Sequence, residues 1–169
     1  MRKYVVVIAV AAAFFLDSMV FNGIDIFGFR PDTMMAVIVS LAVLIGAAPA
    51  AAIGIGMGIL TDILFNAHLG LNSICLLLAA LAGGFFYNKY YADNVVIPAL
   101  TAAFAVFVKE HVMLIASLLM GRNLSGYFMM FISHILPSLL LTGGLCALAH
   151  LILKATLFKP LWDKDIDDR

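Results

Sequence analysis

The stretch from Thr33 to Phe65, TMMAVIVSLAVLIGAAPAAAIGIGMGILTDILF, decides the fold of this chain. Its only charged residue is Asp62, and polar residues flank it on both sides. As a single helix it would be about 50 Å long, whereas the hydrocarbon core of a bilayer is about 30 Å thick. The sequence therefore predicts two membrane-spanning helices, Thr33–Ala48 and Ala50–Phe65, separated by a tight turn at Pro49 rather than by a kink.

The composition of the whole chain agrees with a membrane protein. Of its 169 residues, 64% are hydrophobic and 12% are charged, and the mean hydropathy is +1.11. A soluble domain is about 45–50% apolar and about 25% charged, so a soluble fold is excluded, as is a disordered chain. Ten basic and ten acidic residues cancel, which gives no basic surface for nucleic acid. We expect an integral membrane protein with one domain.

The hydropathy pattern predicts an all-α membrane protein, a bundle of six transmembrane helices within residues 1–158. A short charged cytoplasmic tail, residues 159–169, follows the bundle. The predicted spans are Tyr4–Phe21, Thr33–Ala48, Ala50–Phe65, Leu71–Tyr87, Val95–Met120 and Tyr127–Phe158.

The distribution of basic residues predicts the orientation. Six spans place Arg30 and Arg122 on one side and the other basic residues that flank the spans on the opposite side. By the positive-inside rule, both termini are cytoplasmic. Tyr4–Leu16 also resembles a signal peptide with a cleavage site at Ala11–Ala13, but five further spans favour a retained anchor. The basic residues assigned to the cytoplasmic side are Arg2, Lys3, Lys89, Lys154, Lys159, Lys164 and Arg169.

Small residues align on one face of the third span. Ala50, Gly54, Gly58 and Asp62 recur at intervals of four, which is typical of one helical face. Small residues allow close approach of a second helix, so this face is predicted to be a packing surface. Helix packing alone explains the glycines but does not explain why a carboxylate continues the same face.

Counting helical rise from the span ends places ionisable residues of four spans at a similar depth, about 20 Å from the cytoplasmic side. We predict an intramembrane polar layer here, in which Lys109 pairs with Asp62 across the packing surface. Glu110 then faces another helix or His134, although it is also a possible partner of Lys109. Two interpretations stay open: an ion network that fixes helix register, or a role in transport or in coupling to a partner. The layer comprises Asp17, Asp62, Lys109, Glu110, His111 and His134.

The sequence contains no motif for catalysis or for binding a cofactor or metal. A Walker loop, a zinc-protease helix motif, a nucleophile elbow and a Cys-x-x-Cys pair are all missing from it. Cys75 and Cys146 are predicted near opposite ends of their spans, so they cannot form a disulfide. We therefore expect a protein that is not an enzyme and has no cofactor.

Several of these residues form a pattern that resembles a known family. Pro31-Asp32 precedes the second span, a glycine-rich span with Gly54 and Gly58 ends at Asp62, and Leu69-Gly70-Leu71-Asn72 begins the next helix. This pattern resembles MreD, the rod shape-determining membrane protein of bacteria. The specific motif extends from Pro31 to Ser73, and beyond Tyr87 the resemblance is one of hydropathy.

The resemblance implies a non-catalytic subunit of the cell-elongation machinery in the bacterial cytoplasmic (inner) membrane. Its implied partners are MreC and, indirectly, MreB, RodA and a penicillin-binding transpeptidase. It further implies a fold similar to the substrate-binding subunits of energy-coupling-factor transporters, so a vitamin-binding subunit is the alternative function. A secondary transporter would need inverted repeats, which the sequence does not show. The expected contact surfaces for a partner are the Gly54/Gly58 face and the Gly23–Asp32 loop.

Overall fold

The computed structural model describes residues 2–20, 31–65, 70–87, 94–119 and 131–157. Within these residues the protein contains six α-helices and no strand, which confirms the all-α fold class. Two wider turns of π-helix, Leu16–Val20 and Phe131–Ile135, extend the first helix and precede the last. The helices are α1 (Arg2–Phe15), α2 (Thr33–Ile45), α3 (Ala47–Phe65), α4 (Leu71–Gly84), α5 (Val96–Leu119) and α6 (Leu136–Leu157). The charged tail, residues 159–169, and most of the Gly23–Asp32 loop lie outside the described residues.

Three helical segments are long and apolar enough to cross a membrane: Ala47–Leu64, Val96–Leu119 and Phe131–Leu157. The other three, Tyr4–Ser18, Thr33–Ile45 and Leu71–Gly84, are apolar but shorter. The helices lie where the hydropathy pattern predicted them, whereas the prediction that all six cross the bilayer stays a prediction.

The turn between α2 and α3 lies at Gly46, so the predicted turn at Pro49 is wrong. Gly46 has a φ of +101°, in the left-handed region that glycine adopts without steric penalty. Its N–H closes α2 by donating to the carbonyl of Ala42 at 3.0 Å. Pro49 lies in the first turn of α3, where a missing N–H is harmless because first-turn N–H groups have no partner within the helix.

The short helix α2 is the centre of the bundle. Twelve of its thirteen residues are buried, and it contacts each of the other five helices. The other helices surround it, with α3 beside α4, α4 beside α5, α5 beside α6 and α6 beside α1. A helix that is apolar on every side is expected in such a position. At 1.5 Å per residue α2 is only about 20 Å long.

The small-residue face of α3 packs against α4 within the bundle. A Cβ added at Gly58 would lie 2.4 Å from the Cα of Ser73, and one at Gly54 would lie 3.3 Å from the carbonyl oxygen of Leu76. Both glycines are buried. The expectation that the Gly54/Gly58 face contacts a partner is therefore wrong, because α4 of the same chain already covers it.

This close approach predicts that alanine is harmful at one glycine of α3 and harmless at another. We expect Gly58→Ala to lower the free energy of unfolding by about 1–3 kcal/mol, as overpacking usually does, because the new methyl group meets the backbone of α4. Gly56→Ala is the matched control, since a Cβ there meets nothing within 4 Å. Denaturation of the purified protein in detergent micelles measures both. Equal stability of the two variants would contradict the packing described here.

Candidate functional site

The start of α2 is capped by two carboxylates. Asp32, the N-cap residue, accepts a hydrogen bond from the N–H of Met35 at 2.8 Å. Asp17, in the π turn after α1, accepts from the N–H groups of Thr33 at 3.0 Å and Met34 at 2.8 Å. The next N–H, that of Ala36, donates to the carbonyl of Asp32 at 3.2 Å. The N–H groups of Thr33, Met34 and Met35, which have no backbone partner within the helix, are thus satisfied inside the protein.

Side chains from α5 and α6 complete this site, which we call the α2 cap cluster: Asp17, Asp32, Thr33, Lys109 and Thr142. The ammonium of Lys109 on α5 lies 2.5 Å from Oδ2 of Asp32. The hydroxyl of Thr142 on α6 accepts from the N–H of Asp32 at 3.0 Å. The hydroxyl of Thr33 donates to Oδ1 of Asp17 and lies 3.1 Å from the carbonyl of Ala13. Four helices therefore meet at the start of α2.

The role of the α2 cap cluster is structural, because its polar groups bind one another and the backbone. Each of the four carboxylate oxygens of Asp17 and Asp32 accepts from a backbone N–H or from Lys109. The partial positive charge at a helix N-terminus, about half an elementary charge, adds to the favourable interaction with both carboxylates. Such an arrangement fixes the positions of α1, α5 and α6 relative to α2.

The predicted pair of Lys109 with Asp62 is wrong, because Lys109 is bound to Asp32. Asp62 instead caps α4 from the end of α3. Its Oδ2 accepts from the N–H of Gly70 at 2.9 Å, the N–H of Ser73 at 3.3 Å and the hydroxyl of Ser73 at 3.1 Å. Gly70, the N-cap of α4, has a φ of +96° and no side chain with which to cap the helix. Asp62, which is completely buried, supplies the missing acceptor.

The remaining members of the predicted polar layer lie on the last two helical segments. Glu110 is half-buried and follows Lys109 directly along α5. His111 is also half-buried, with Nδ1 2.8 Å from the carbonyl of Phe107 and its ring 4.1 Å from the Phe107 ring. His134 lies in the π turn Phe131–Ile135, and its side chain lies outside the described residues. The structure thus brings Asp17 and Lys109 to the start of α2, where Asp17 binds the N–H groups of Thr33 and Met34 and Lys109 binds Asp32. It places Asp62 at the start of α4.

Hydroxyl and thiol groups make further contacts between the helices around α2. The Ser40 hydroxyl lies 3.3 Å from the carbonyl of Cys146, whose thiol donates to the carbonyl of Pro98 at 3.3 Å. Cys75 and Cys146 are both buried and free, as predicted. These contacts link α2, α5 and α6 at a second level along their axes.

Sequence reasoning missed two parts of this site. Asp32 was identified only as a motif residue, although an aspartate directly before an apolar run is typical of an N-cap. Thr142 gave no signal, since threonine is common in membrane helices and its role depends on which helix it faces.

Comparison with known protein families identifies the family of this chain. The family model described as rod shape-determining protein MreD matches residues 1–159. This chain belongs to the MreD family. The match extends well beyond the motif between Pro31 and Ser73, and it confirms the family that the sequence pattern predicted. No curated protein and no solved structure matches the chain.

The family is one of rod shape-determining membrane proteins, and the three long apolar helices agree with a place in the membrane. The residues of the family motif lie at the capped helix starts described above and at the contact of Gly54 and Gly58 with α4. Pro31 and Asp32 precede α2, and Gly70 precedes α4. Asp62 joins the end of α3 to α4.

The ion pair predicts a specific rescue. We expect Lys109→Met to lower the free energy of unfolding by about 3–5 kcal/mol, because it leaves the Asp32 carboxylate uncompensated in the interior. Adding Asp32→Asn should recover most of that loss, since asparagine still caps α2 without the charge. Denaturation of the single and double variants in detergent micelles measures the coupling.

The control for this rescue is Lys109→Met combined with Asp62→Asn. Asp62 is the partner of Lys109 that the depths counted from helical rise predicted. That combination should show no recovery, because Asp62 binds the start of α4. Recovery with Asp62→Asn and none with Asp32→Asn would reverse the assignment.

The cap of α4 predicts a difference between two replacements of Asp62. Asp62→Ala leaves the N–H groups of Gly70 and Ser73 without their acceptor, at about 1–3 kcal/mol for each buried group left unsatisfied. Asp62→Asn keeps an acceptor oxygen and should be clearly milder. Thr156→Ala, at an exposed hydroxyl on α6, is the control. Equal losses for Asp62→Ala and Asp62→Asn in the same unfolding measurement would show that the cap does not depend on an acceptor.

Proposed function

We propose that this protein is a non-catalytic subunit of the bacterial cell-elongation machinery. In this proposal it scaffolds or regulates peptidoglycan synthesis along the side wall through an MreC-like membrane protein. MreB, RodA and a penicillin-binding transpeptidase are then indirect partners. The family match over residues 1–159 carries the proposal.

The geometry of the interior supports a scaffolding role. The carboxylates of the α2 cap cluster and of Asp62 are bound to helix N-termini, and Lys109 is bound to Asp32. Polar groups used in this way hold six helices in one arrangement. A bundle with a fixed arrangement presents a constant surface to neighbouring membrane proteins, which is what a scaffold requires.

The same proposal places the chain in the cytoplasmic membrane with six crossings and both termini in the cytoplasm. For α2, the shortest helix, the capping of its first turn supports a position within the membrane. A helix of about 20 Å is shorter than the hydrocarbon core, so at least one of its ends lies below the membrane surface. Backbone groups at such an end need partners other than water, and Asp17 and Asp32 provide them. A six-helix arrangement like that of energy-coupling-factor substrate-binding subunits is part of this proposal.

Depletion of the protein in a rod-shaped bacterium that carries it tests the proposed function. We expect depleted cells to lose rod shape and become spherical, because insertion of new wall along the side stops. Measured cell width and length during depletion give the result. Expression of the unchanged chain, or of the Gly56→Ala variant, should restore rods.

Two outcomes would contradict the proposal. Depleted cells that keep their rod shape would rule out a role in elongation. A growth defect that is cured by an added vitamin, in cells that stay rod-shaped, would favour the substrate-binding subunit instead.

A further inference from the structure

A crevice of about 230 Å³ lies between α4 and α5. Three of its eight lining residues are alanines, Ala79 and Ala82 on α4 and Ala105 on α5. Leu78 and Phe104 stand at its rim, with 46% and 62% of their surfaces exposed. The crevice therefore opens sideways, onto the apolar outer face of the bundle, and the side chains that the structure describes do not fill it.

Lys109 is the lining residue furthest along α5, and it joins the crevice to the α2 cap cluster. An ammonium has three N–H donors, and Asp32 accepts one of them at 2.5 Å. The Lys109 side chain is still 20% exposed. Within a bilayer, a donor that faces only lipid chains is unfavourable, because hydrocarbon offers no acceptor. The crevice thus combines apolar walls with a hydrogen-bond donor at one position.

A transmembrane helix meets both requirements, whereas a lipid chain meets only the first. Walls of small residues allow another helix to approach closely, and a larger side chain of that helix can occupy the gap. Serine, threonine, asparagine or glutamine on the same helix face would accept from Lys109. A neutral acceptor is favoured over a carboxylate, because the α2 cap cluster already contains two acidic side chains for one amine.

We propose that the crevice between α4 and α5 receives one transmembrane helix of a different protein subunit. That helix inserts a large apolar side chain between Leu78 and Phe104 and places a neutral hydrogen-bond acceptor beside Lys109. The proposal rests on the proposed function and names the surface through which the subunit is held. It replaces the Gly54/Gly58 face, which α4 covers.

Photocrosslinking in living cells tests this surface. Phe104 is replaced by p-benzoylphenylalanine in the full chain in its native membrane, and Leu140, 72% exposed on α6, carries the same probe as the matched control. We expect the Phe104 probe to give an adduct with another membrane protein, with the crosslinked peptide inside that protein's transmembrane helix. The Leu140 probe should give no such adduct.

Two substitutions then test whether the crevice itself is the site. Ala82→Leu fills it, and Leu78→Trp blocks its rim from an exposed position that lies outside the core. Each should lower the adduct yield by about tenfold or more, as expected where overpacking opposes a contact. Ala52→Leu, at an exposed alanine of α3, is the control and should leave the yield unchanged. Unfolding measurements in detergent identify a variant that has lost its fold, in which case the other variant decides.

The proposal is overturned if the Phe104 probe captures only lipid, only a second copy of this chain, or a segment outside a transmembrane helix. It is also overturned if folded Leu78→Trp and Ala82→Leu proteins give the full yield. If cells become spherical on depletion while any of these results holds, the proposed function stands and the crevice is not the docking surface. If depleted cells stay rod-shaped, the proposed function fails whatever the crosslink shows.

Discussion

The structure depends on hydrogen-bond acceptors, other than water, for the N–H groups at the start of a short buried helix. Helix α2 is surrounded by the other five helices, so the N–H groups that begin it have no access to bulk solvent through its sides. Asp17 and Asp32 supply the acceptors, and Lys109 compensates the second carboxylate. Without these bonds the most central element of the bundle would begin with unsatisfied donors, each unfavourable by about 1–3 kcal/mol. Because the acceptors and the amine come from different helices, the same bonds also determine where α1 and α5 lie.

Capping by a carboxylate of the preceding helical segment occurs twice in the described structure. Asp17 follows α1 and caps α2, and Asp62, near the end of α3, caps α4. In both cases a carboxylate at the end of one helix binds the start of the next helix along the chain, so each of these two helical pairs is closed by an ion–backbone contact. The second pair is drawn together further by Gly58, whose missing side chain lets α3 approach the backbone of Ser73. Close approach and capping support each other here, because Asp62 reaches α4 only where the two helices nearly touch.

The sequence was sufficient to predict where the helices lie along the chain, but not how they face one another. Hydropathy located all six, since long apolar runs bounded by polar residues have few alternatives. It placed the turn at Pro49 because proline interrupts helices, whereas Gly46 makes the turn and Pro49 is tolerated in the first turn that follows. Periodicity identified the Gly54/Gly58 face as a packing surface but could not say which helix covers it. Helical rise likewise gave the depth of Lys109, but depth does not specify the direction in which a side chain points, so Asp62 and Asp32 could not be distinguished as its partner.

Lys109 belongs to both the interior and the outer surface of the bundle. Its ammonium is part of the α2 cap cluster, and its side chain lines the crevice between α4 and α5. A hydrogen bond from Lys109 to an acceptor in the crevice uses a second N–H of the ammonium that binds Asp32, so each bond helps to hold the amine in place for the other. Such coupling is reciprocal: whatever the occupant contributes to the stability of the cap, the cap contributes to the affinity for the occupant. A scaffold built in this way would bind its neighbour most tightly when its central helix is fully capped, which links assembly to correct folding through a single side chain.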